Sequence, residues 1–311
     1  MSKWLTLVLS IVIMFVLLKL ADFKTVWSTW QMVRLDYALA AGGLLSSTIL
    51  ARVFAWQYLL RRAQESITFF RLLPLLIIAF FSGIALPVRS GELVGPWIVS
   101  TSAKLPFGKV VAILFCERIA HMLVLFIIMT CSTLINLDLL LGSQKRLYPL
   151  AWILFALALG VILWMKRGWI IGKIRQKLLS FEKTSHHVDL FLETVTALSR
   201  TGSHMAMLFI LSFLFWGCVI LAYHLLLRSL DMNLNLSQTA FVSSLSTLAG
   251  TFMVIPVGPT EGIASSLLIQ FGYSYPVSIS FASFYTMMWV GLLGSYTLFS
   301  YGVLSLMGKR I

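Results

Sequence analysis

The sequence Leu86-Pro-Val-Arg-Ser-Gly-Glu92 sets the architecture, because it interrupts the otherwise apolar region 69–104. A related sequence, Ile255-Pro-Val-Gly-Pro-Thr-Glu261, interrupts a second apolar region, 236–275. Both follow the pattern [Leu/Ile]-Pro-Val-x-x-x-Glu, and the second follows the first by just over half the length of the chain. Because proline and glycine break helices, each region is predicted to form two half-helices joined by a break. The helix-breaking residues of the two hairpins are Pro87, Pro256 and Pro259.

The lengths of the arms on either side of the first break favour a hairpin. The arms run from Arg71 to Pro87 and from Pro87 to Lys104. A helical arm of this length reaches about 24 Å at 1.5 Å per residue, which is less than the roughly 30 Å hydrocarbon core of a bilayer. We therefore predict re-entrant hairpins, each entering and leaving the membrane on one side.

The composition is that of a membrane protein. Apolar residues make up 59% of the chain and charged residues 11%, against about 45–50% and about 25% in soluble domains. This excludes a soluble globular protein, a disordered chain and a secreted disulfide scaffold. The net charge of +13 indicates contact with anionic phospholipids at the cytoplasmic surface rather than nucleic acid, because the basic residues flank apolar segments.

Six further apolar segments are long enough to cross a bilayer. They are residues 4–20, 36–60, 110–135, 147–165, 205–227 and 277–307. Each half of the chain therefore has two spans, a broken hairpin and one span. Since three crossings is an odd number, the second half begins on the opposite side, and the halves are predicted to be inverted repeats. We expect an all-α polytopic membrane protein whose single domain, 1–311, comprises repeat halves 1–141 and 147–311.

The distribution of Lys and Arg predicts the orientation. The chosen cytoplasmic segments are both termini, 61–71, 104–109 and the loop 166–204. That side then holds more than twice as many basic residues as the other. Because basic residues favour the cytoplasmic side, both termini are predicted to be cytoplasmic.

Charged residues also fall inside the predicted membrane region. Arg89 and Glu92 lie at the tip of the first hairpin, and Glu261 lies at the tip of the second. Glu117 and His121 share a helix face in the following span, since they stand at positions i and i+4. Ionised groups there cost several kcal/mol by insertion scales, so they usually face a cavity and pair. The predicted substrate-binding residues are Arg89, Ser90, Gly91, Glu92, Glu117, Arg118, His121, Gly258, Thr260 and Glu261.

Two simpler interpretations stay open at this point. Arg89–Glu92 and Glu117–Arg118 would then be ion pairs that only hold the hairpin to its neighbour. Arg52 lies about two turns from the end of its predicted span and is interpreted as reaching the cytoplasmic face. We predict no catalytic residues, no metal site and no cofactor.

The two hairpin motifs and the Glu117-Arg118 pair resemble the lysylphosphatidylglycerol synthase transmembrane region, a group also described as flippase-like integral membrane proteins. The likeness follows the order of apolar segments over nearly the whole chain, and its specific part is Leu86–Glu92, Glu117-Arg118 and Glu261-Gly262. The resemblance implies movement of a lipid across a bacterial or archaeal inner membrane. It also implies that the family's polar positions are Arg89, Gly91, Glu92, Glu117, Arg118 and Glu261.

The sequence departs from that family in two places. An acidic residue is expected near His121, and a Gly-Gly-x-Gly run is expected where Gly258-Pro259-Thr260 stands. The full synthase also carries a soluble aminoacyl-transferase domain after its spans. Because this chain ends at Ile311, it resembles the membrane part alone, and we do not expect it to synthesise aminoacyl lipid.

The predicted function is therefore flippase-like transport of a phospholipid or isoprenoid-linked lipid, with an anionic headgroup, and not an enzymatic reaction. One alternative is an intramembrane enzyme acting on a lipid phosphate. Another is an accessory membrane subunit of a lipid or glycan synthase, which would have that enzyme as a partner. Assembly of the chain into a homo-oligomer is a further open alternative.

Overall fold

The computed structural model describes residues 19, 23–85, 90–136, 185–200, 202–252 and 258–306, and its regular elements are all helices. The prediction of an all-α protein is confirmed for this part of the chain. Its helices are α1 (Phe23–Gln31), α2 (Leu35–Arg62), α3 (Phe69–Ala85), α4 (Ser90–Ala103), α5 (Phe107–Ile135), α6 (Ser185–Arg200), α7 (Gly202–Ser229), α8 (Leu236–Phe252), α9 (Pro259–Gln270) and α10 (Tyr275–Leu306).

Four of these helices are long and apolar enough to cross a membrane, namely α2, α5, α7 and α10. They contain 28, 29, 28 and 32 residues and coincide with the predicted spans 36–60, 110–135, 205–227 and 277–307. The predicted span 147–165 lies outside the described residues, as does 4–20 apart from Lys19.

The first broken region folds as a helical hairpin. Its arms α3 and α4 run antiparallel, because Arg71 Nη2 donates to the carbonyl oxygen of Ser102 (2.8 Å) at their outer ends. Nearer the break, a Cβ added to Gly95 would lie 3.1 Å from Cβ of Ala79, so the two backbones approach closely. The arms have 17 and 14 residues, about 25 and 21 Å at 1.5 Å per residue. The break itself, residues 86–89 with Pro87, lies outside the described residues.

The second broken region has the same shape. The rings of Phe241 on α8 and Phe271 after α9 lie 6.3 Å apart at the outer ends. Towards the break, a Cβ on Gly250 would lie 2.5 Å from Thr260 Oγ1. The arms have 17 and 12 residues, and Pro256 lies in the undescribed segment between them.

The helices α2, α4, α7 and α9 end in the same way. In each case a residue just after the last turn has a left-handed backbone, with φ of 60° at Gln64, 57° at Lys104, 55° at Asp231 and 93° at Gly272. The next N–H bonds to a carbonyl oxygen of the last turn, as Glu65 does to Leu60 (2.9 Å) and Met232 does to Leu227 (2.9 Å). This is the Schellman ending. The step along the chain from Gln64 to Asp231, like that from Lys104 to Gly272, nearly equals the step between the two hairpin motifs. The spacing of these helix ends therefore agrees with the spacing of the two motifs.

Helices α2 and α7, which precede the two hairpins, run antiparallel to each other. The N–H of Arg34 donates to the carbonyl oxygen of Ser229 at one end (3.0 Å). At the other end, Tyr58 Oη and His204 Nδ1 share a hydrogen bond of 2.9 Å. The helices that precede the two hairpins therefore point in opposite directions.

One end of the bundle carries more of the described basic side chains than the other. Lys109 Nζ donates to Glu65 Oε1 (2.7 Å) and to the carbonyl oxygen of Ala63 (3.2 Å), which ties the start of α5 to the end of α2. We call this the basic end. Its basic residues are Arg61, Arg62, Arg71, Lys104, Lys109 and Arg200. The opposite end has Lys24, Arg34 and Arg228.

Within the predicted loop 166–204, residues 185–200 form helix α6, which the sequence analysis does not predict. This helix packs on α5, where the rings of Phe191 and Phe115 lie 5.5 Å apart. A side chain at Gly108 would overlap the carbonyl oxygen of His187. Leu192, Val195 and Leu198 form an apolar face of α6 that packs into the protein. The polar residues between them make this face hard to recognise in the sequence. Because α6 begins beside Phe107 and ends just before His204, it lies along the basic end.

Two apolar clusters hold the helices together. One packs α2, α3, α4 and α5 around Trp56, Leu72 and Ile113. The other packs α2, α7, α8, α9 and α10 around Leu45 and Phe281. Helix α2 contributes to both clusters, and Arg52 lies on it between them.

Candidate functional site

A buried ion pair between Arg52 on α2 and Glu117 on α5 is the centre of the site. Arg52 Nε donates to Glu117 Oε1 (2.8 Å) and Arg52 Nη2 donates to Oε2 (3.2 Å). The two side chains are 10% and 2% exposed. Two parallel bonds between a guanidinium and a carboxylate form the strong, bidentate type of ion pair.

The interpretation that Arg52 reaches the cytoplasmic face is wrong. Arg52 lies almost three turns before the last residue of its helix, Arg62, which is about 15 Å along the axis at 1.5 Å per residue. The carboxylate of Glu117 lies within hydrogen-bond distance, whereas the end of the helix does not. Arg52 is therefore a site residue that the sequence analysis left out.

His121 lies one turn after Glu117 on the same face of α5, as predicted. Its Nε2 is 3.9 Å from Glu117 Oε1. The imidazole packs edge-on against the ring of Phe215, with centroids 4.6 Å apart. Trp216 Nε1 also donates to the backbone carbonyl oxygen of His121 (3.2 Å), so α7 fixes this part of α5.

Arg52 and Arg118 line one pocket between the first hairpin and its neighbouring spans. The other lining residues are Trp56, Leu76, Ala79, Phe80, Gly83, Gly95, Pro96 and Leu114. The Arg52 guanidinium lies 4.3 Å from the centroid of the Phe80 ring, which is the geometry of a cation–π contact. The cavity volume is about 20 Å³, room for a water molecule. An anion in this pocket would meet two guanidinium groups.

Glu261 forms a second polar site at the start of α9. It is the third residue of the helix and is 3% exposed. Its Oε2 accepts the backbone N–H of Gly258 (2.6 Å), and its Oε1 accepts the hydroxyl of Thr286 on α10. Gly258 has φ of 98°, a left-handed conformation that favours glycine, and Pro259 occupies the first turn. A carboxylate of the protein thus binds a backbone N–H that the helix start would otherwise offer to an anion.

Aromatic side chains connect the two sites. The ring of Phe80, which lies under Arg52, contacts Trp289 on α10 edge-on at 5.8 Å. Trp289 Nε1 donates to Tyr285 Oη (2.8 Å), and Tyr285 precedes Thr286. The Arg52 and Glu261 sites are therefore joined through one row of packed side chains.

The structure brings the predicted site residues into two groups. Glu117, Arg118 and His121 surround the Arg52 pair, and Gly258, Thr260 and Glu261 begin α9. Ser90, Gly91 and Glu92 begin α4, but their side chains lie outside the described part of the chain, as does all of Arg89.

Thr286 is the second residue that the sequence analysis missed. The step along the chain from Glu117 to Thr286 is the same as the step from Glu92 to Glu261. The repeat therefore contained the signal, although a threonine in an apolar span does not stand out by itself. Within the described residues, no group of three His, Cys, Asp or Glu side chains could hold a metal ion.

Comparison with known proteins gives one family. The family model described as the lysylphosphatidylglycerol synthase TM region matches residues 3–293. No curated protein matches the chain.

Proposed function

The chain belongs to the lysylphosphatidylglycerol synthase transmembrane family, and we propose that it moves a lipid with an anionic headgroup across the membrane. The proposed activity is transport and not a chemical reaction. The observation that carries the proposal is the pocket lined by Arg52 and Arg118 beside the buried carboxylate of Glu117. Charges inside membrane helices are costly and commonly mark the path of a polar substrate.

The proposed path lies between two re-entrant hairpins in an inverted repeat. Three features support it: the antiparallel arms of each hairpin, the opposite directions of α2 and α7, and the repeated helix ends at Gln64 and Asp231. The first hairpin would enter from the basic end and the second from the opposite end. Transporters of this design place their substrate where the broken helices of the two halves meet.

In the proposed cycle, the headgroup enters the cavity from one side while the acyl tails remain in lipid. Arg89 and Arg118 neutralise the headgroup. Glu92, Glu117 and Glu261 balance these charges in the empty protein or take up a proton that couples transport. The two halves then rock and open the cavity to the other side.

We propose that the basic end faces the cytoplasm of a bacterial or archaeal cell, with both termini on that side. Two thirds of the basic residues named for the two ends lie at the basic end. Basic residues near the ends of membrane spans favour the cytoplasmic side.

A translocation assay in proteoliposomes tests the function. Purified protein is reconstituted with a fluorescent phosphatidylglycerol analogue, and a membrane-impermeant quencher is added outside. Transport lets quenching exceed the outer-leaflet half, and Glu92→Gln removes the excess. Asp36→Asn, an exposed position in α2, is the control that keeps it. The proposal would be overturned if quenching stopped at half in all three cases: with this lipid, with an isoprenoid-linked lipid, and with an imposed proton gradient.

A further inference from the structure

We propose that Arg52 binds the phosphate group of the substrate, and that it does so by exchanging its ion pair with Glu117 for one with the phosphate. In the empty protein, Glu117 occupies the place that the phosphate takes. This inference rests on the proposed function and names the residue that receives the headgroup.

The geometry of the ion pair is that of a phosphate site already filled by a carboxylate. Arg52 presents Nε and Nη2 side by side to two oxygens, at 2.8 and 3.2 Å. A phosphate diester offers two oxygens in the same way, and the guanidinium fork binds either group bidentately. The Phe80 ring under the guanidinium holds its plane in place during an exchange.

The surroundings of the pair provide for both charges after the exchange. Arg118 lines the same pocket as Arg52, so a phosphate there would have a second arginine in the pocket wall. Glu117 retains His121 as a neighbour, with Nε2 3.9 Å from its Oε1, and the imidazole would donate a hydrogen bond to the carboxylate only after moving closer. A buried carboxylate left without a partner is destabilising, and a hydrogen bond from His121 would offset part of that cost.

The pocket must widen to admit a phosphate, and its walls are suited to widening. A cavity of about 20 Å³ has room for a water molecule and not for a headgroup. On the hairpin side the wall consists partly of Ala79, Gly83 and Gly95. The small residues let the two arms approach closely at this point, so a local shift of α3 against α4 would enlarge the pocket.

The exchange belongs to the first half of the chain. The position that matches Glu117 in the second half is Thr286, which binds the tip carboxylate Glu261. The positions that match Arg52 by the same repeat are Val219, Ile220 and Leu221. The second half therefore has no equivalent of the Arg52–Glu117 pair at these positions, and one phosphate binds per chain.

Lipid binding by matched variants tests the exchange. The variants are Glu117→Gln, Arg52→Lys and the double variant Arg52→Gln/Glu117→Gln. Each is titrated beside wild type in detergent micelles with phosphatidylglycerol, phosphatidylcholine or inorganic phosphate. Glu117→Gln frees the Arg52 fork, and we expect phosphatidylglycerol to bind about tenfold tighter or more. The double variant loses this gain and stays folded, because both buried charges are removed together. Arg52→Lys keeps the charge without the fork and binds more weakly than wild type. Asp36→Asn, at the exposed pair with Arg34, is the control and binds as wild type does.

Several results would overturn the inference. Glu117→Gln that binds phosphatidylglycerol no tighter than wild type would show that Glu117 does not occupy the site. A double variant that binds phosphatidylglycerol as tightly as Glu117→Gln does would show that Arg52 does not bind the phosphate. Inorganic phosphate binding as tightly as phosphatidylglycerol would assign the pocket to free phosphate. An equal gain for phosphatidylcholine, which carries the same phosphate diester, would support the exchange and contradict the anionic headgroup of the proposed function.

The binding experiment separates this inference from the proposed function. If wild type translocates lipid but the Arg52 variants bind and transport normally, the inference alone fails. If no lipid is translocated while Glu117→Gln still tightens binding in an Arg52-dependent way, the proposed function fails and the exchange stands.

Discussion

At the residue scale, the two buried carboxylates show how far a sequence reveals a site. Glu117 and Glu261 are evident because an acidic residue is rare inside an apolar span. Their partners are not evident, since Arg52 and Thr286 lie on other helices, far along the chain from the carboxylates they bind. Which of two arginines meets a carboxylate depends on how the helices pack, and hydropathy does not determine that. Glu117 was paired with its neighbour Arg118 in one interpretation, whereas the structure gives it a bidentate bond with Arg52.

The bond between Thr286 and Glu261 gives a prediction at this scale. Thr286→Val keeps the shape of the side chain and removes the hydroxyl that donates to Glu261 Oε1. Because the carboxylate is buried, losing this donor should destabilise the protein by about 1–3 kcal/mol, and its melting temperature in detergent should fall. Thr101→Val is the control, since that exposed hydroxyl donates to carbonyl oxygens within α4. Equal melting temperatures for the two variants would mean that Thr286 does not hold Glu261.

At the scale of the helices, proline and glycine indicate where helices end. The amphipathic helix α6 is much harder to recognise in the sequence. The described helices end at Ala85 and Phe252, just before the two Pro-Val motifs, and the next ones begin at Ser90 and Pro259, which agrees with the local restriction that proline places on a helix. Helix α6 was missed because its stripe of Leu192, Val195 and Leu198 is short and lies among charged residues. Its partner is the face of α5 at Gly108, where the lack of a side chain lets the two backbones touch. A glycine in a helix does not by itself say what packs on it.

The shared helix endings give a prediction at this scale. Lys104 and Gly272 hold matching left-handed positions, with φ of 57° and 93°, and both are exposed. The left-handed conformation costs a residue with a side chain roughly 1–2 kcal/mol, which glycine avoids, although glycine is also freer in the unfolded chain. Lys104→Gly should therefore stabilise the protein by about 0.5–1 kcal/mol, and Gly272→Ala should destabilise it by about 1 kcal/mol.

Thermal unfolding of both variants beside wild type measures this difference. Since neither position lies in the pocket lining, lipid binding serves as the control and should not change. A Lys104→Gly variant less stable than wild type would show that the lysine side chain makes contacts worth more than the strain.

At the scale of the whole molecule, the order of apolar segments predicts a repeat. The directions of α2 and α7 bear on whether the two copies would be parallel or inverted. The sequence shows that the two halves have similar parts, but not which helices touch. The contact of α2 with α7 along their lengths, from Arg34–Ser229 to Tyr58–His204, shows that these two helices are antiparallel. In the proposed inverted repeat they are corresponding helices, and that arrangement would present the same cavity to either side of a membrane, as alternating access requires.

Sided labelling of single cysteines tests this arrangement in the membrane. In a background with the three native cysteines replaced by alanine, exposed positions are changed to cysteine at the ends of each hairpin: Ser66 and Lys104 for the first, Asn233 and Ser274 for the second. An impermeant maleimide added to spheroplasts should label Asn233→Cys and Ser274→Cys. Ser66→Cys and Lys104→Cys should react only after permeabilisation, because both ends of the first hairpin lie at the basic end. Labelling of Ser66→Cys and Lys104→Cys from opposite sides would mean that the first hairpin crosses the bilayer once. If Lys104→Cys and Ser274→Cys reacted from the same side, the halves would be parallel, and two-sided access by rocking would not be open to this protein.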